Sequence, residues 1–192
     1  MYDTVWIDVL SGMEERTYER VLQKIEEFKE EKLIAYAELG LVFEEFDIFA
    51  VFETGDSEML LEFLVDHVAP LEGVMEIRTG NILKISRPLT PLGGGTPSGG
   101  DDAGEGMKRS YFMTYLDAFP AHYSRVFEQL KDLSHPLIRY FGYCLDSYDE
   151  DVVVCLDTDD LRAAKDFISE KLRKLEGMRD TRTYLVYNVT CL

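Results

Sequence analysis

The sequence predicts an α+β fold made of two tandem ferredoxin-like domains, each reading β-α-β-β-α-β. Three observations predict it: an internal repeat, a glycine-rich segment between the copies, and the same succession of apolar patterns in both. A shift of about 104 residues lays Leu71-Glu72-Gly73 on Leu175-Glu176-Gly177, Tyr36 on Tyr140, Asp47 on Asp151, and Arg78-Thr79 on Arg182-Thr183. One residue out of that phase, Tyr18 and Val21 fall on Tyr123 and Val126. Between the copies, Gly93-Gly94-Gly95, Gly99-Gly100 and Asp101-Asp102 make a segment that cannot bury a core and reads as a flexible linker. The expected organisation is a first domain over 1–87, a linker over 88–107 and a second domain over 108–192.

Each element has its own signal. Residues 5–10 and 111–116 are β-rich runs that open the two copies. Tyr18, Val21, Leu22, Ile25 and Phe28 then recur at helical spacing, as do Tyr123, Val126, Phe127, Leu130 and Leu133. Residues 34–41 and 47–53 read as a hairpin, matched by 138–145 and 151–157. Asp56 and Asp160 stand where an N-cap belongs, ahead of second helices striped by Leu60, Phe63, Leu64 and by Ala164, Phe167, Ile168. Leu-Glu-Gly closes each of these helices, the glycine supplying a left-handed C-cap. Residues 74–85 and 178–189 are the closing strands.

Helices cover only one face of such a sheet, so the other face should alternate with polar residues. It does not: Ile48-Phe49-Ala50-Val51-Phe52 and Val152-Val153-Val154-Cys155-Leu156 are apolar at every position. Both faces of these strands want burial. The expected partner is the other copy, or the same face of a second chain, packed sheet on sheet with a crevice between them.

Composition narrows the function. Acids outnumber bases 37 to 20, giving a net charge of −17, so direct nucleic-acid binding, which rests on Lys and Arg at phosphates, is not expected. The same charge disfavours anionic membranes, and no apolar run approaches the roughly 20 residues of a membrane span. Asp3 and Asp8 interrupt the first apolar stretch, so no secretory signal is expected and the chain reads as cytoplasmic. Cys144, Cys155 and Cys191 lack C-x-x-C spacing. His67, His122 and His135 are scattered, without metal or haem spacing. No catalytic residue, metal or cofactor is therefore expected.

The order of elements, with Gly40 and Asp47-Ile48-Phe49-Ala50-Val51 followed by Leu71-Glu72-Gly73-Val74, resembles the effector-binding domain of the Lrp/AsnC (feast-famine) regulators. The resemblance covers both halves, over 4–85 and 110–189. It implies a dimeric α/β-barrel-like pairing of the sheets. It also implies a small effector, such as an amino acid, bound near the hairpin that Gly40 and Asp47 bracket, and a role in transcription regulation. No helix-turn-helix domain is read ahead of the module. The expectation is a stand-alone regulatory or assembly module: an intramolecular pseudo-dimer or homo-oligomer that binds a small metabolite and meets other regulators. The alternative is a small oxygenase or haem-handling enzyme of the dimeric α/β-barrel type.

Seven residues are candidates for the ligand site: Tyr36, Gly40, Asp47, Arg78, Tyr140, Asp151 and Arg182. Asp47 and Asp151 start apolar strands, where a carboxylate either holds a ligand ammonium or caps the hairpin turn. Tyr36 and Tyr140, on the partner strands, either line the same crevice or pack within the sheet. Arg78 and Arg182 either grip a carboxylate bidentately or form surface ion pairs.

Overall fold

The computed structural model describes residues 2–30, 34–43, 46–87, 109–145 and 152–192. The first half contains β1 (Tyr2–Val9), α1 (Glu14–Glu30), β2 (Ile34–Val42), β3 (Ile48–Thr54), α2 (Ser57–Phe63) and β4 (Val74–Ile85). The second contains β5 (Arg109–Ala118), α3 (Tyr123–Leu133), β6 (Ile138–Leu145), β7 (Val152–Leu156), α4 (Leu161–Glu170) and β8 (Met178–Cys191). A π-helical turn over Leu64–Val68 extends α2, and a 3-10 turn over Leu172–Lys174 follows α4. The segment expected to be a linker and the hairpin residue Asp151 lie outside the described residues.

Local chemistry fixes the helix ends. Asp56 accepts a hydrogen bond from the Glu58 N–H at 2.8 Å, and Asp160 accepts from Arg162 and Ala163 at 2.8 and 3.2 Å, satisfying donors that α2 and α4 leave unpaired. Gly73 and Gly177 end the following turns with φ of 102° and 95°, where a side chain would be strained.

The strands do not form two sheets. They form one closed barrel in the order β1-β3-β2-β8-β5-β7-β6-β4, antiparallel throughout. This corrects the expectation of two tandem ferredoxin-like domains stacked face to face. Within each half the strands run β4-β1-β3-β2 or β8-β5-β7-β6, which leaves two edge strands with unpaired N–H and C=O groups. Those edges join across the halves. β2 pairs with β8 (Glu38 opposite Cys191, Val42 opposite Val186), and β4 pairs with β6 (Ile82 opposite Cys144, Ile85 opposite Gly142). Closure removes every edge and turns the second apolar face inward, where it fills the barrel.

Three clusters make the core. Trp6, Phe49, Tyr111, Met113, Tyr115 and Tyr184 belong to the barrel interior. Val5, Ile7, Val21, Ile25, Phe52 and Phe63 pack the first-half helices onto the outer sheet face, and Phe112, Val126, Phe127, Val154, Phe167 and Leu172 do so in the second half. Apolarity on both faces of β3 and β7 thus has two outlets, helices outside and barrel inside. Among the described residues no helix is long and apolar enough to cross a membrane.

Candidate functional site

The barrel interior holds a charge pair that crosses the halves. β2 alternates outward Ala37 and Leu39 with inward Tyr36 and Glu38. On β6 a register shift between Ile138 and Tyr140 turns Arg139 toward Glu38. Arg139 donates to both Glu38 oxygens, at 3.2 and 2.8 Å, and to the Tyr36 hydroxyl at 3.2 Å; that hydroxyl donates to Glu38 Oε2 at 2.6 Å. Side-chain exposure is only 8% at Arg139 and 2% at Glu38, so each charge depends on the other. Burial alone would pull the Arg139 guanidinium down, but the Glu38 carboxylate outweighs it and holds the cation above its ordinary value. Burial first, and Glu38 second, push Tyr36 and Tyr111 up. The Tyr140 hydroxyl is buried with no hydrogen-bond partner among the described residues, and burial holds it protonated. The Arg139 guanidinium lies 5.8 and 5.7 Å from the Tyr111 and Tyr140 ring centroids.

Two of the expected site residues, Tyr36 and Tyr140, thus meet at Arg139. Asp151 lies outside the described residues, and Asp47, Gly40, Arg78 and Arg182 have other surroundings. Asp47 is about 20 Å along the hairpin from Tyr36, where its Oδ2 accepts from the Val9 N–H at 2.8 Å beside a hollow of about 710 Å³. Gly40 stands at the β2–β8 seam, where a Cβ would collide with Val186 Cγ1. Arg78 is held by Glu76 at 2.6 Å and lies 5.0 Å from the Phe46 ring centroid. Arg182 faces Tyr115 in register on β8 and is exposed. Sequence reasoning missed Glu38 and Arg139. Each is a charge in a mostly apolar strand, but in the repeat Glu38 falls on Gly142 and Arg139 on Ala35, so nothing in the sequence pairs them.

A second site appears when the halves are superposed through their register. Trp6 pairs with Phe49 and Arg78, while Tyr115 pairs with Val153 and Arg182, so Trp6 corresponds to Tyr115 and Asp3 to Phe112. In the first half Asp3 is buried and tied to Thr54 at 2.8 Å, to Ser57 at 3.1 Å and to Asn81. The second half replaces this polar knot with Phe112, Leu161 and Leu185, and these residues line a cavity of about 410 Å³ beneath α4. The rim is inverted in the opposite sense. Leu61, Val65 and Ala69 border a hollow of about 240 Å³ in the first half; Lys165, Ser169 and Arg173 take their places around the second-half cavity. Arg173 Nε donates to Thr181 Oγ1 at 2.8 Å, which steadies the guanidinium. An apolar floor with a cationic rim suits a flat apolar molecule bearing an anionic oxygen.

This cavity does not suit haem. Haem iron needs an axial His, Cys, Met or Tyr donor, and the described residues lining the cavity include none. His67 lies against Phe28 and Phe63, His135 against Phe167, and His122 beside Gly177. The Cys155 thiol is in the barrel interior, where burial pushes it up and keeps it protonated. Among the described residues, no group of three or more His, Cys, Asp or Glu is arranged to hold a metal ion.

No protein-family model matches the chain, and no curated protein matches it. Solved structures do. A chlorite dismutase variant from Candidatus Nitrospira defluvii aligns over 97% of this chain and 90% of its own, at TM-score 0.61 and 11% identity. An anthrone oxidase-like protein aligns over 100% and 91%, at TM-score 0.56 and 9% identity. Escherichia coli AsnC covers 40% of this chain and 50% of its own, at TM-score 0.35 and 13% identity. The class this defines is a dimeric α/β-barrel fold built within one chain. The likeness to Lrp/AsnC regulators extends to 40% of the chain only, and the expectation of a stand-alone effector-binding module for transcription regulation is corrected. At 9% and 11% identity the two matches that span the chain show a shared barrel fold.

Proposed function

We propose that the chain is a small-molecule oxygenase acting on a hydroxylated polycyclic aromatic compound held in the second-half cavity. The observation that carries this reading is the exchange at corresponding positions of the halves: Asp3, Ser57 and Asn81 give way to Phe112, Leu161 and Leu185, and Leu61, Val65 and Ala69 to Lys165, Ser169 and Arg173, which together line the second-half cavity. Duplicated units packed in equivalent places share the same packing needs, so a difference this systematic supports a task that one copy performs. The anthrone oxidase-like neighbour suggests the substrate class. Phe112, Ile168 and Leu185 would bind the rings, and Lys165 and Arg173 would hold the oxyanion that forms when an activated methylene loses a proton. The overall step balances with dioxygen alone. The methylene becomes a ketone, one oxygen atom is retained, and the other leaves as water with both hydrogens.

The test is oxygen uptake with a hydroxylated anthrone, set against ketone formed. A one-to-one ratio is expected, together with saturable binding of an aryl sulfonate fluorophore. Arg173→Met should lower kcat/KM by about tenfold or more, the effect of losing a charge-assisted hydrogen bond. No oxygen uptake above the uncatalysed rate would overturn the reading.

A further inference from the structure

The first half's counterpart of the cavity has its own unusual surface. Leu61, Val65 and Met75 are 54%, 57% and 61% exposed around a hollow between α2 and β4. Glu58, Glu62 and Asp66 are exposed on α2 and the π turn beside them. The segment 57–83 carries five acidic residues and one basic. The equivalent segment 161–187 carries four acidic and seven basic, within a chain of net charge −17. Its α4 exposes Leu161 at 68% and carries Arg162 beside it, with Lys171 following the helix. Each face offers exposed apolar surface. Over 57–70 the first carries Glu58, Glu62 and Asp66 and no Lys or Arg; over 161–174 the second carries Arg162, Lys165, Lys171, Arg173 and Lys174 against Asp166 and Glu170, so their net charges are opposite.

We propose that the α2 face of one chain docks on the α4 face of a second copy, head to tail. Charge complementarity identifies the occupant: every copy carries both faces. Geometry prevents one chain from satisfying itself, because β4 and β8, which border the two faces, stand four strands apart in the eight-strand ring and so on opposite sides of the barrel. Such a contact is heterologous, leaving one free face at each end of a growing assembly, which closes into a ring or continues as a filament. It would also cover the mouth of the second-half cavity; only that consequence rests on the oxygenase reading.

Sedimentation velocity on the full chain tests it. Assemblies larger than a dimer are expected to grow with concentration and to shrink as salt is added. Two variants keep one face each: Glu58→Lys with Glu62→Lys spoils the acidic face, and Arg162→Ser with Lys171→Ser spoils the basic one without making it complementary to the lysine-bearing face. Each alone should be monomeric, with a circular dichroism spectrum like the parent's. Mixed at equal concentration they should form dimers and nothing larger. A parent chain that stays monomeric at every concentration overturns the proposal, as does either variant assembling alone or a mixture that does not pair. Fluorophore binding by the monomeric variants separates the two readings: if it persists without assembly in the parent, the docking fails and the oxygenase reading stands.

Discussion

At the scale of residues, the molecule is defined by charges that depend on single partners. Glu38 and Arg139 are buried together, so truncating one strands the other. Glu38→Leu is expected to cost about 3–5 kcal/mol, whereas Glu38→Leu with Arg139→Met should return close to the parent, because the desolvation of both charges disappears with the pair. Urea denaturation of the two single variants and the double variant measures this; additive losses would mean that the pair is not coupled. Asp47 has a different environment. Burial, and then the nearby Asp8 carboxylate, raise its pKa, against the lowering by the Val9 N–H. An acid raised on folding contributes stability fully present below its unfolded pKa of about 3.9, and that contribution is lost as pH rises through the folded value. Asp47→Asn should therefore match the parent in acid and exceed it in stability at neutral pH, as read from melting curves across pH.

At the scale of elements, the seams between the halves are the tightest places. Gly142 on β6 has the Lys84 carbonyl oxygen 2.7 Å and Ile82 Cγ2 2.5 Å from where a Cβ would stand. The backbone oxygen cannot move without breaking the β4–β6 ladder. Gly142→Ala is thus expected to destabilise by about 1–3 kcal/mol, the scale of overpacking in a closed core. Gly55 has nothing within 4 Å of its Cβ position, so Gly55→Ala provides the comparison, with little steric cost. Equal losses in chemical denaturation would show that seam packing is not what Gly142 serves. The caps, by contrast, were readable from sequence, since Asp56 and Asp160 bond to N–H groups two and three residues away.

At the scale of the whole molecule, closure makes the halves depend on each other. Neither sheet has its edges satisfied without the other, and the interior cluster draws residues from both. Unfolding is expected as one transition, with far-ultraviolet circular dichroism and the fluorescence of Trp6, the only tryptophan, coinciding. Two separated transitions would return the chain to the status of two independent units. The candidate cavity belongs to this scale too. Its floor comes from β5 and β8 and its rim from α4 and the following turn, elements whose proximity no local pattern encodes.

By itself the sequence determined the repeat, the order of strands and helices, the helix caps and the demand for burial on both sheet faces. Those are local properties: periodicity, cap chemistry and composition act over a few residues and survive any arrangement of the whole. Only the tertiary structure decided that the demand would be met by joining edges rather than stacking faces, since β2 meets β8 across some 150 positions and hydrogen-bond register between such strands has no sequence signature. The same holds for the sites. Glu38 and Arg139, which the sequence reading passed over, are charges in mostly apolar strands, and that they face each other depends on closure and on a register shift in β6. The exchange of Asp3, Ser57 and Asn81 for Phe112, Leu161 and Leu185 was written in the repeat, yet became visible only once strand pairing fixed which residues correspond. A cavity is a property of several elements at once, and the sequence specifies each element while the fold alone brings them together.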